Sequence, residues 1–145
     1  MKYAYIALLF LSFACSKKSE HNHDETVPDG DNPNQVLYDQ VMDIHDEVMP
    51  RMDDIERLKR ELKEEITNTP DMVAERKVEL EQVISNLDSA GTAMMDWMHK
   101  FNPLPDSVDQ EEAREYLENE MEKIKKVRDQ MNESIEKANG AAQKN

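Results

Sequence analysis

Glycine is nearly missing from this chain, at 3 of 145 residues. That leaves little material for phosphate-cradling loops or tight hairpins. A single cysteine, Cys15, excludes an internal disulfide framework. Basic side chains are scarce beside acidic ones, 18 Lys and Arg against 32 Asp and Glu, for a formal net charge of −14. Charge alone would repel such a chain from a nucleic-acid backbone, so nucleic acid is not an expected partner. No apolar run reaches the roughly 20 residues that a membrane-spanning helix needs. Catalytic signatures are also missing: there is no His-Glu-x-x-His, no Gly-x-Ser-x-Gly and no Cys-x-x-Cys-His. Asp96-Met-Trp-His99 has the spacing of a di-iron ligand pair, but with Asp in place of Glu and with no second copy. The expectation is a protein that is not an enzyme.

The longest apolar run, Tyr3 to Phe13, is interrupted only by Ser12 and follows the basic start Met1-Lys2. Its length suits the apolar core of a secretory signal peptide. It ends Ala14-Cys15-Ser16-Lys17-Lys18, where the residues resemble a bacterial lipoprotein signal with Cys15 as the lipidated first residue. Residues 1–14 are then a signal peptide and the membrane is a partner through the lipid anchor, in the periplasm or at the outer membrane. Residues 15–33 hold Ser, Lys, Glu, His, Asn, Asp, Gly and Pro with little apolar content. Such a composition buries nothing and predicts a disordered tether. His21 and His23 in it are a weak metal-binding signal.

Helical periodicity follows Asn32-Pro33. Leu37, Val41, Ile44, Val48, Met52, Ile55, Leu58, Leu62 and Ile66 recur at steps of three and four, with Pro50 set to kink or split the helix. Thr69-Pro70-Asp71 reads as a second start. The next stripe is Val73, Leu80, Val83, Ile84, Leu87, Ala90, Met94, Trp97, Met98 and Phe101, closed by Asn102-Pro103-Leu104-Pro105. Ser107 with Gln110 resembles a capping box. The third stripe runs Ala113, Leu117, Met121, Ile124, Val127, Met131, Ile135 and Ala138, with Gly140 as a stop. The prediction is an all-α, antiparallel up-down-up three-helix bundle over residues 34–140, with helices at about 34–67, 70–101 and 107–139 and a disordered tail at 141–145. Its lean core leaves room for a second copy, so a homodimer is one expected partner and an unidentified protein another.

Nine methionines follow Met1, and they are not evenly spread along this bundle. Tyr38, Met42, His45, Met49 and Met52 form a stripe on the first helix, and Met94, Met95, Met98 and His99 surround Trp97 on the second. Folded back near Asn68, the two groups lie level. Core packing explains methionine at helical spacing and is the first expectation. The alternative is a Cu(I) site built from Met42, His45, Met49, Met95, Met98 and His99, because soft thioether and imidazole donors select a soft ion. An adaptable Met-rich groove for a partner is a third use.

Two segments, residues 44–52 (Ile-His-Asp-Glu-Val-Met-Pro-Arg-Met) and 94–101 (Met-Met-Asp-Trp-Met-His-Lys-Phe), carry a family likeness. With the lipoprotein-type start, they resemble small Bacteroidota lipoproteins labelled as viral A-type inclusion proteins. The resemblance spans about Tyr38 to Phe101 and implies a helical, exported, lipid-anchored protein. It implies no catalytic residues and no defined activity.

Overall fold

Side-chain capping and proline geometry decide where each helix starts. The computed structural model describes residues 32–105 and 107–143, so the expected signal peptide, Cys15, nearly all of the expected tether and the last two residues lie outside the described residues. The described residues form four α-helices and no strand: α1 (Pro33–Val48), α2 (Arg51–Asn68), α3 (Ala74–Lys100) and α4 (Gln110–Ala142). α1 opens with Asn32, whose side-chain oxygen accepts from the Asn34 N–H at 3.1 Å, and with Pro33, whose missing N–H costs nothing in a first turn.

Pro50 splits the first long stripe into α1 and α2. Having no N–H, it cannot bond back, and the ladder shortens there: Met52 N–H reaches Met49 O at 3.1 Å and Asp53 N–H reaches Pro50 O at 3.3 Å. The dihedrals of Met49 and Pro50 stay right-handed helical, so α2 continues along the same neighbour as α1. The chain is therefore three helical rods packed together, the first of them broken.

Two starts and one stop differ from expectation. Residues 69–72 form a turn closed by Met72 N–H to Thr69 O at 3.0 Å, and α3 begins four residues after Pro70. Pro70 has the fixed φ that the second position of such a turn favours, and the turn lets Met72 pack on the core. Val73, expected in the stripe, caps α3 without a side-chain bond and is 65% exposed. At α4, a turn closed by Val108 N–H to Pro105 O occupies Ser107, so Asp109 takes the cap. Its Oδ1 accepts from Glu111 N–H at 2.9 Å and Glu112 N–H at 3.4 Å. Gly140 does not stop α4, because Ala138 and Ala141 on either side are buried and hold the last turn in place.

α4, with 33 residues, is about 50 Å long and touches all three other helices. Its buried residues Met121, Ile124, Val127, Met131, Ile135 and Ala138 meet Val41 and Val48 of α1, Ile55, Leu58 and Leu62 of α2, and Leu80, Ile84, Leu87 and Met94 of α3 in one apolar cluster, and Leu117 is buried beyond it. Polar pairs set the levels. Asn34 Nδ2 donates to Gln110 O at 2.9 Å, Arg51 bonds Asn132, Ser134 Oγ donates to Asn86 O at 3.4 Å, and Asn102 N–H donates to Tyr116 Oη at 2.8 Å.

The far end is closed by Arg76, only 16% exposed at its side chain. It bonds Glu65 of α2 at 2.9 Å, Glu79 at 3.1 Å and the Ala141 carbonyl of α4 at 2.8 Å. Burial acts to lower its pKa, but the bonds to Glu65 and Glu79 outweigh it, and the net shift is upward. A cation on the last carbonyls of α4 also suits the negative end of that helix dipole. Lys59 links α2 to Asp88 of α3 and is likewise raised, first by that bond and then by Glu56.

Gly91 sits buried in mid-helix where α2 crosses α3. A Cβ there would meet Met52 Cε at 3.5 Å and Ile55 Cγ2 at 3.8 Å, ordinary van der Waals contacts. Gly91→Ala should therefore stabilise the fold by about 0.5–1 kcal/mol through the lower conformational cost of alanine in a helix. Urea denaturation measures this, and a loss of stability would mean that α2 and α3 approach more tightly than these distances.

Candidate functional site

At the end where α4 begins, α1 and α3 do not touch through their backbones: no Cα of one lies within 8 Å of a Cα of the other. Large side chains fill the space. Trp97 stacks on Phe101 with ring centroids 4.9 Å apart, Phe101 meets Tyr38 of α1 at 6.1 Å and Tyr116 of α4 at 6.2 Å, and Trp97 meets His45 of α1 at 6.0 Å. This row ties three helices together and is worth more than its buried area alone. The indole N–H of Trp97 is buried without a hydrogen-bond partner among the described residues.

The contacts of Tyr38 and His45 show which flank of α1 faces α3. Met42 and Met49 share that flank, each one helical turn from His45 or Tyr38. On α3, Gly91 faces Met52 and Ile55, and Met95, Met98 and His99 follow one to two turns further along the same side. The six residues expected as a possible metal cluster thus line the two sides of one seam, but at different depths. Met49 and Met98 are half-buried against the core, Met42 and His45 are half-buried on α1, Met95 is 38% exposed, and His99 is exposed. Met94, between them in sequence, is fully buried and belongs to the core alone. His45 Nδ1 stands 2.7 Å from Asp46 Oδ1. No group of three or more His, Cys, Asp or Glu side chains suited to a metal ion occurs among the described residues.

Beside the aromatic row lies a cleft of about 210 Å³. Tyr38, Pro103, Leu104, Val108, Tyr116 and Leu117 supply its apolar surface, and Asn32, Asn34, Gln35 and Gln110 supply amides. Among the described residues, no Asp, Glu, His, Lys or Arg lines it. Helical periodicity could not locate this cleft, because it arises from the pairing of the α1 start with the Pro103-Leu104-Pro105 connection, about 70 residues apart. The one signal available was the apolar Leu104 held between two prolines in a connection that needs no apolar residue.

Glu120 is a second feature that the periodicity missed: a charged residue only 3% exposed, one turn after Tyr116. Lys123 Nζ meets its Oε1 at 2.7 Å, and this bond raises the Lys123 pKa. An ion pair reaching outward relieves the cost of burying the carboxylate.

The comparisons with known proteins leave the site to its own geometry. No family model, curated protein or solved structure matches this chain.

Burial raises the pKa of Tyr116; the bond from Asn102 N–H works against this and the charge of Glu120 adds to it. A phenol harder to ionise in the fold than in the unfolded chain gives stability that is complete below the ordinary tyrosine value of about 10 and is lost as pH rises through the raised value. Tyr116→Phe should cost at most about 1 kcal/mol near neutral pH, for the lost acceptor, and should flatten the alkaline loss of stability. Urea melts of both proteins at about pH 8 and about pH 11 decide this, and parallel losses would refute the assignment.

Proposed function

We propose that this chain is an exported lipoprotein, held to a bacterial membrane through Cys15, whose up-down-up three-helix bundle acts by binding a partner protein rather than by catalysis. The pairings of Asn34 with Gln110, Asn86 with Ser134 and Asn102 with Tyr116 support that order of helices. The lipoprotein-type start and the likeness to small Bacteroidota lipoproteins support the address. Among the described residues no helix is long and apolar enough to cross a membrane. An anchor is then what would hold the protein at the surface.

The cleft carries the functional reading. Amides from four Asn and Gln side chains offer donors and acceptors to a peptide backbone, and Tyr38, Leu104, Tyr116 and the prolines offer apolar contact. Among the described residues its lining is apolar and amide in character, which suits docking better than acid–base chemistry. The occupant favoured is a short extended segment of another exported protein.

Two experiments in cells test this reading. Cys15→Ser should abolish incorporation of labelled fatty acid and release the protein from the membrane fraction. A photo-reactive residue at Leu104 should give a discrete protein adduct, while the same residue at the exposed Val78 near the other end should give none. Retained lipid in Cys15→Ser would overturn the anchor, and equal cross-linking at both positions would overturn the cleft.

A further inference from the structure

We propose that the seam between α1 and α3 binds Cu(I) through His45 Nε2 and the thioethers of Met49 and Met98, with the Trp97 ring as its inner wall. This goes beyond partner docking and uses a different surface. Three observations converge on it. The first is the state of His45. Its Nδ1 lies 2.7 Å from a carboxylate oxygen of Asp46, and an ionised carboxylate only accepts, so Nδ1 carries the proton. In the neutral imidazole Nε2 then carries the lone pair, and the one hydrogen bond of the ring among the described residues is at Nδ1. A carboxylate bonded to the far nitrogen is the arrangement that orients a metal-binding imidazole and makes it more basic.

The second observation is placement. Met49, the cap of α1, lies one helical turn from His45, whose ring centre is 6.0 Å from that of Trp97. Met98 is level with Trp97 on α3, two turns beyond Gly91 on the side that meets Met52 and Ile55. Third, both thioether side chains are half-buried, shielded from bulk water yet not sealed in the core as Met94 is. Two thioethers and one imidazole form a soft donor set, which favours Cu(I) over Zn, Ca or Mg. Trp97 adds an aromatic face that attracts a cation. Met95 and His99 stand at the exposed rim, where soft donors meet an incoming ion, and exposed Asp43, Asp46, Glu47 and Asp96 raise the local cation concentration.

The test uses the full chain in detergent, carrying Cys15→Ser, His21→Ala and His23→Ala so that donors outside the seam are silent. Cu(I) is supplied from its bicinchoninate complex under ascorbate. Trp97 is the one tryptophan of the sequence, so its emission reports on the seam. The expected result is one equivalent of Cu(I) taken from the chelator, with Trp97 emission changing in step. Uptake is lost in His45→Ala and in the double variant Met49→Leu/Met98→Leu, which keeps side-chain volume and hence the fold. Asp46→Asn weakens affinity roughly 10–100-fold by releasing the ring orientation. Met72→Leu, at the opposite end, leaves affinity unchanged. Circular dichroism melts confirm that each variant stays folded. No uptake, uptake without a change in Trp97 emission, or uptake that survives His45→Ala in a folded protein would each overturn the proposal.

Discussion

The burial of one long stripe on α4 is the constraint from which the rest of the architecture follows. α4 offers an apolar face to neighbours on two sides, α1 with α2 on one and α3 on the other. Neither α1 nor α2 alone matches its length, and together, joined through Pro50, they do. Burial of apolar area is the dominant favourable contribution to such a fold, and helix propensity adds little for elements that would be marginal in isolation. Polar pairs then fix what burial leaves free. Arg76 draws α2, α3 and the last carbonyls of α4 together at one end, and Asn34 with Gln110 and Asn102 with Tyr116 set the level at the other.

The same constraint explains why the functional features gather where they do. α3 packs closely on α2, where Gly91 lies beside Met52 and Ile55, whereas α1 stands off from α3. The break at Pro50 separates these two regimes. A wide gap needs large side chains, and the sequence supplies rings and methionines there rather than the Leu and Ile of the other half. Aromatic and thioether side chains fill irregular space well, and they are also groups that bind cations and adapt to partners. Packing and the proposed binding would therefore use the same residues at this end, and changes that keep volume while altering chemistry separate the two roles.

Much of this was legible in the residues. The three apolar stripes place the core, because helical periodicity depends on neighbours in sequence and survives without tertiary information. The cap at Asn32 and the break at Pro50 are equally local. Three boundaries were not legible. Thr69-Pro70-Asp71 carries the residues of a helix start and of a turn alike, and the burial of Met72 favours the turn. Ser107 is a good cap that another turn had already occupied, leaving the role to Asp109. Gly140 is overridden by the burial of Ala141 and by Arg76 on its carbonyl. Of the candidate site, the level and composition of the Met and His groups could be read from spacing, but their depth could not. Met95 and Met98 are three residues apart, and which one turns inward depends on where α1 sits. The cleft needed the pairing of α1 with the α3–α4 connection and was beyond reach of any local pattern.

The central claim is that α4 is the element on which the other three depend, with α1 held mainly by α4 and by the aromatic row. Native-state hydrogen exchange, followed by mass spectrometry across all four helices at increasing urea, tests it most directly. The account predicts that amides in the middle of α4, around Ile124 to Ile135, exchange only through global unfolding, while those of α1 open at a clearly lower free energy. Exchange from α4 before α1, or one common opening energy for all four helices, would contradict it.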